Sequence, residues 1–267
     1  MAKIITVKVS KGGVGKTTIT SNLGHTLAKK GFKTLLIDFD SQSNLSKSFI
    51  KEFKEEKLTS SNLLGDDNLS KDDLIYEIEE NLFVIPSDIG LHEVSKYVEN
   101  LPNFTTRLFE QIKKTNIFES FEYILLDLSP GVADTITQIS LVSSDLLICP
   151  CHFDIDSLTG LVHTISDISR LQEANILRNE LNYLVVPNKF DNRFKKDNEH
   201  IISLLYDNLE KEFIAEPIRE NSHIKKARMI GQSAIEYELD ESRKKEHKKA
   251  VEDFEKLSNK VLEILKN

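Results

Sequence analysis

The sequence has no tryptophan and only two cysteines and six prolines among its 267 residues. Cys149 and Cys151 are separated by one residue, too short a loop for a good disulfide, so the fold is not stapled and a reducing compartment is expected. Ten glycines and six prolines exclude a collagen-like or low-complexity chain. No apolar run approaches the roughly 20 residues that cross a bilayer. The start, Met1-Ala2-Lys3-Ile4-Ile5, lacks the basic, apolar and cleavage regions of a signal peptide, so the expected location is cytoplasmic. Cys149-Pro150-Cys151-His152 offers too few ligands for a metal centre and has no second cluster. Successive strand residues face opposite sides, and the two thiols read as small buried hydrophobes. Seven histidines are scattered without a Ser-His-Asp spacing, and the aromatic residues form no stacking stripe for bases.

What remains is a globular composition, 39% hydrophobic and 29% charged. The net charge of -8 argues against a chain that attracts nucleic acid by bulk charge, yet the distribution is uneven. Between residues 187 and 228, nine Lys/Arg accompany eight Asp/Glu, so that segment carries +1 and the rest -9. A nucleic-acid surface would therefore be a local patch in the C-terminal third.

Short β-branched runs alternate with helical patterns along the whole chain. Strands are expected at 3–9, 33–38, 82–86, 123–127, 145–149 and 182–186, with a weaker one at 211–215. Several are continuously apolar, such as Tyr123-Ile124-Leu125-Leu126 and Leu146-Leu147-Ile148, as in strands buried on both faces of a parallel sheet. Helices are expected at 16–30, 104–114, 134–142, 157–173, 196–208 and 240–266. The acidic stretch 59–81 reads as a loop with a short helix. With no internal repeat or linker, residues 1–267 read as one doubly wound α/β domain, a mostly parallel sheet with helices on both faces.

Lys11-Gly12-Gly13-Val14-Gly15-Lys16-Thr17-Thr18 follows the first strand and opens the first helix, the context that a phosphate-binding loop requires. The glycines let backbone N–H groups turn onto phosphate oxygens, and the helix N-terminus adds a favourable dipole. Lys16 would reach the β- and γ-phosphates, and the Thr17 hydroxyl would ligate magnesium. Ser10 stands where the strict pattern has its first glycine. Asp38 and Asp40 end the second strand and Asp127 ends another, so these carboxylates gather at the carboxyl edge of the sheet beside that loop. Asp127 reads as the acid of the magnesium shell.

Lys11 before the double glycine is one lysine more than phosphate binding needs. Together with Asp38-Phe39-Asp40-Ser41-Gln42-Ser43-Asn44 it resembles the deviant Walker A ATPases, the group of ParA-type partition proteins and MinD-type positioning proteins. The resemblance runs over nearly the whole chain. Asp127-Leu128-Ser129-Pro130-Gly131 is similar to the family's Walker B and its following loop, and Cys149-Pro150 through Ser157-Leu158-Thr159-Gly160-Leu161 to its next strand, loop and helix. Departures are Ser10, Ser41 in place of a frequent proline and Ser129 in place of a frequent threonine. The lack of suitably placed cysteines separates the sequence from the iron-protein relatives.

The resemblance implies a homodimer with two ATPs sandwiched at its interface. Lys11 would reach the partner's ATP, Lys16 the chain's own, Asp40 would position the attacking water, and Asp38 would support the metal shell. Adenine would be met by Asn188 at the end of a later strand, with Pro217 flanking the ring. Two basic clusters lie where the partition proteins bind DNA non-specifically: Lys189, Arg193, Lys195 and Lys196, then Arg219, His223, Lys225, Lys226 and Arg228. A ParB-like centromere-binding protein would accelerate a slow basal hydrolysis, and the chain would associate with the nucleoid. The loop's closeness to Met1 implies the short type, with no preceding helix-turn-helix domain. A MinD-like membrane role is the alternative, but Glu252, Asp253, Glu255 and Glu263 in the last helix would repel an anionic leaflet, so that helix reads as core-docking. A metabolic P-loop kinase or ligase is the third class considered.

Overall fold

The computed structural model describes residues 1–130, 134–243 and 247–266. Its strands are β1 (Lys3–Val7), β2 (Thr34–Phe39), β3 (Tyr76–Glu79), β4 (Leu82–Ile85), β5 (Tyr123–Leu128), β6 (Leu146–Cys151), β7 (Asn182–Phe190) and β8 (Ile218–Arg219). The first helices are α1 (Lys16–Lys29), α2 (Asn44–Lys47), α3 (Ser60–Gly65), α4 (Lys71–Leu74), α5 (Leu91–Glu99), α6 (Arg107–Lys114) and α7 (Ile117–Ser120). They are followed by α8 (Thr135–Ser143), α9 (Ile155–Glu173), α10 (Lys195–Asn208), α11 (Ser222–Met229), α12 (Ala234–Leu239) and α13 (Lys249–Lys266).

The strands form one sheet in the order β3-β4-β2-β5-β1-β6-β7-β8. Every pairing is parallel except β3 with β4, whose tight connection passes through Asn81 at φ 66°, a conformation that Asn tolerates better than most residues. The period of two decides which helices each strand meets. Ile5, Val7, Leu36, Leu125 and Ile148 pack with α1, α12 and α13, whereas Ile4, Leu35, Ile37, Ile124 and Leu126 pack with α3 and α5–α8. Leu147, Cys149, Cys151 and Val185 meet α9 and α10 in a third cluster. The doubly wound, mostly parallel architecture is as expected. The α13 helix buries Phe254, Leu257 and Val261 in the core, and no helix among the described residues is long and apolar enough to cross a membrane.

Three differences from the sequence expectations have local causes. Residues 211–215 do not form a strand: Lys211–Phe213 is a 3-10 turn, and only Ile214 bridges to Val185. Phe213 is held there by stacking on Tyr183, ring centroids 4.8 Å apart, and the edge strand comes later, at β8. The stretch 59–81 contains α3, α4 and β3, with capping boxes at Thr59 and Ser70 starting the two helices. In place of one helix over 240–266, α13 begins at Lys249, where Glu238 accepts from the backbone N–H of Ala250 and Val251 at 2.8 and 3.1 Å.

Candidate nucleotide site

β1 runs into a loop whose Gly13 and Gly15 adopt φ of +76° and +99°, and α1 begins directly after it. Gly15 is the N-cap and supplies no side chain, so the first amides of α1 face outward for an anion. Its lack of a Cβ has a second cause, since a Cβ there would sit 2.2 Å from the Asn188 amide nitrogen. That nitrogen donates to the Val14 carbonyl at 2.7 Å, while Asn188 Oδ1 accepts from the Lys189 N–H at 2.9 Å. Lys189, itself at φ 61°, donates through Nζ to the Gly13 carbonyl at 2.7 Å. The end of β7 thus clasps the glycine loop from the far side.

Lys16 is 7% exposed and donates to the carbonyls of Lys11 at 3.1 Å and Val9 at 3.5 Å. Burial, and secondarily the nearby Lys8, pull its pKa down to about 8. Asp127, fully buried at the end of β5, accepts from the Thr20 hydroxyl at 3.2 Å through Oδ1. Its Oδ2 has no hydrogen-bond partner among the described residues, and the Thr17 hydroxyl faces the same carboxylate. Burial first and the neighbouring Asp38 second raise the pKa of Asp127. A buried carboxylate oxygen without a partner, beside a threonine hydroxyl, is a donor set that fits a hard divalent cation such as magnesium.

Asp38 is disposed differently from the metal-shell expectation. Its Oδ1 accepts from the Asp40 N–H at 3.0 Å, and its Oδ2 accepts from the Ser46 N–H and hydroxyl at 2.8 and 2.6 Å. Both oxygens organise the turn after β2, and Ser46 passes the connection on to the Ser87 N–H at 3.0 Å. Burial raises the Asp38 pKa against these hydrogen bonds. Asp40, 7% exposed, is fixed by the Gln42 N–H at 3.0 Å and faces the same cavity as Lys16.

Lys11 folds back on its own chain. Its Nζ lies 2.6 Å from Asp154 and 3.7 Å from Asp156, both at the start of α9. Asp154 also caps that helix by accepting from the Ser157 N–H at 2.7 Å. Burial alone would push Asp154 up, but Lys11 and Ser157 hold its carboxyl down at about 2. A cavity of about 340 Å³ brings together Lys16, Thr17, Thr18, Asp40 and Asn188, and extends to Asn221, Ile224, Lys225 and Arg228. Gly131 lies outside the described residues.

A family model described as an AAA domain matches residues 2–183. The sporulation initiation inhibitor protein Soj of Bacillus subtilis is 30% identical over 173 residues, covering 65% of this chain and 67% of Soj. The chain belongs to the ParA-type partition ATPase family.

Solved structures of other members of the wider ParA/MinD group extend the likeness to the whole fold. McdA from Cyanothece, solved as an ATP complex of a variant, superimposes with a TM-score of 0.83 at 25% identity, over 99% of this chain and 96% of that one. The septum site-determining protein MinD of Pyrococcus horikoshii, complexed with Mg-ADP, gives 0.72 at 25% identity over 98% and 96%.

Within this ParA-type chain the basic clusters do not stay together. Arg219 braces β8 against α13: its Nε and backbone N–H reach Asp253 at 2.9 Å, and its Nη2 reaches Glu252 at 2.7 Å. Those carboxylates raise its pKa further. His223 sits 2.8 Å from Glu238 beneath α12. Both are thus engaged by carboxylates of α12 and α13, and Arg219 also lines the cavity. Lys189, Lys225 and Arg228 line the nucleotide cavity, with Lys225 3.0 Å from Glu220 and Arg228 3.3 Å from Asn44. Arg193, Lys195, Lys196 and Lys226 are exposed, as are Lys225 and Arg228, with Arg193 gripping Asp191 at 2.9 Å and Lys195 lying 3.5 Å from Glu199. Pro217 is not among the residues lining the cavity. Sequence reasoning missed Thr20, Ser46 and Asp154. Thr20 was findable one turn beyond Lys16, and the other two only from the folded chain.

Proposed function

We propose that this chain is an ATPase of DNA partition. It takes up ATP with magnesium, pairs face to face with a second copy in that state, holds duplex DNA without sequence preference and separates after slow hydrolysis. The carrying observation is that one cavity gathers the glycine loop with Lys16, Thr17 and the carboxylate of Asp40, while Asp127, buried beside Thr17, keeps an oxygen without a partner among the described residues.

Magnesium, when bound, supplies charge neutralisation at the phosphates, and Thr17 and Asp127 are the residues that would hold it. Gly12 to Thr18, Lys16 among them, would cradle the phosphates, Asn188 and Lys189 brace the cradle, and Asn188 would meet the base. Asp38 sets the backbone of Asp40, and Asp40 orients the water. Lys11 exchanges Asp154 for the nucleotide of the second copy; a partly exposed ion pair of this kind is readily given up. Nucleotide that binds the pair better than the single chain drives association by linkage.

Arg193, Lys195, Lys196 and Lys226 form the DNA surface, and pairing doubles it along one duplex, so affinity rises steeply in the ATP state. A ParB-like centromere-binding partner speeds hydrolysis and times release, in a cytoplasmic, nucleoid-associated setting. Light scattering should give twice the mass with ATP and magnesium but not with ADP, and Asp40→Ala should keep the paired state. Co-sedimentation should capture duplex DNA only with ATP, with affinity falling by about 0.9 log unit per phosphate neutralised for each tenfold rise in salt. Equal mass in both nucleotides would sink the pairing step. ATP-dependent capture by anionic liposomes in place of DNA would make the chain a MinD-like positioner.

A further inference from the structure

Lys8 stands where β1 passes into the glycine loop, between Val7 and Val9, which are fully buried. It is itself only 3% exposed, and loss of water pushes its pKa down. Packing alone does not call for an ammonium there, because an apolar side chain of the same length would fill the space without the desolvation penalty. Its Nζ donates to the Ser129 carbonyl at 2.9 Å. The carboxylates whose charge offsets its burial are Asp134 and Asp40. Ser129 and Pro130 follow directly on β5, which carries Asp127, and Pro130 abuts the glycine loop, since a Cβ on Gly12 would lie 3.8 Å from the Pro130 Cβ. The charge of Lys8 is also felt at Lys16.

We propose that Lys8 is a positioning residue for hydrolysis: its ammonium pins the Ser129 carbonyl, and with it the chain leaving Asp127, to the floor of the glycine loop, while its charge holds Asp40 and Asp134 in register. This rests on the ATPase reading. Its charge adds to that of Lys16, which its field already reaches, so the site presents preorganised positive charge for the negative charge that a transferred phosphoryl group gathers. Nothing in this arrangement requires Lys8 to touch the nucleotide, so its removal acts on turnover more than on binding.

Lys8→Met removes charge and donor at nearly constant volume, and Lys8→Gln keeps a shorter, neutral donor. Each is compared with the native chain by titration with a fluorescent ATP analogue, by steady-state hydrolysis and by thermal unfolding. Lys8→Met is expected to bind within about threefold of the native chain, to unfold no earlier, and to lose about tenfold or more in kcat. Lys8→Gln is expected to recover little of that loss, because a hydrogen bond without charge leaves Asp40 and Asp134 unbalanced. Native kcat in Lys8→Met overturns the proposal, as does a parallel loss of melting temperature and ATP affinity, the mark of a merely structural lysine. If Lys8→Met does not fold, the same split between kcat and binding is read from Lys8→Gln. A native chain that hydrolyses no ATP, or hydrolyses it equally well as Lys16→Ala, overturns the ATPase reading and this proposal with it; unchanged turnover confined to the Lys8 variants removes Lys8 alone.

Discussion

The glycine loop and the basic segment 187–228, the two stretches expected to meet phosphate, are built in opposite ways. In the loop the recognising groups are backbone amides, so spacing in sequence is already geometry in space, and Gly13 and Gly15 take up left-handed conformations where the pattern places them. In the basic segment the recognising groups are long side chains, and each finds its partner only after folding. Arg219 pairs with Asp253, Lys189 donates to the glycine loop, Lys225 meets Glu220 while staying exposed, and Arg193 stays in solvent. A cluster of charges along a chain is therefore not yet a patch.

The largest expected effect lies in the loop. Lys16→Ala should weaken ATP binding by about a hundredfold or more, measured by equilibrium titration, because Lys16 is the buried ammonium at the start of α1, directly behind the glycine loop. Binding within a few-fold of native would show that the backbone alone recognises the nucleotide. Next comes the contrast within the basic segment. Arg219→Ala should lower unfolding stability by about 2 kcal/mol, read from a urea transition, since it leaves the buried Asp253 without its cation. Arg193→Glu should leave that transition in place and weaken DNA binding several-fold. If the two substitutions exchange these phenotypes, the division between scaffold and surface is wrong.

The smallest effect belongs to the far end of α1, where Glu79 on β3 meets His25 at 2.7 Å and Lys29 at 2.9 Å. Burial alone would raise the Glu79 pKa, but His25 and Lys29 bring it down from 4.5 to about 2. A carboxyl depressed on folding adds stability that is present above its unfolded value and is lost as pH falls through the folded one. Glu79→Gln should therefore destabilise the chain by about 1 kcal/mol at neutral pH and by less as pH falls from 4.5 toward 2. An equal deficit at both ends of that range would mean that the contact is steric rather than ionic.

The sheet was legible because β1, β2, β5 and β6 are buried on both faces and read as unbroken apolar runs. The helices α11 and α12 were not, being eight and six residues long and rich in charge; their ends are set by Asn221 and Ser233 caps that resemble ordinary loop residues. The fold brings Lys16, Thr17 and Asp40, placed by motif and strand position, to one cavity, with Asp127 buried beside Thr17. The different surroundings of Asp38 and Asp127 were not legible, because they depend on Ser46, eight residues beyond Asp38, closing on the Asp38 carboxylate, while an oxygen of Asp127 is left without a partner among the described residues.

The two cysteines of β6 serve as a clock that the chain carries already. Cys149 and Cys151 are 0% and 1% exposed, and burial pushes both thiols up, Cys151 to about 12. The thiolate is the reactive form, so while β6 is closed a disulfide reagent finds nothing to attack at neutral pH. The rate at which it consumes the two thiols then counts how often β6 opens. Because Ile148 of β6 pairs with Val7 of β1, next to the glycine loop, occupancy of that loop should slow the clock, and an unlabelled chain can report its own ligand.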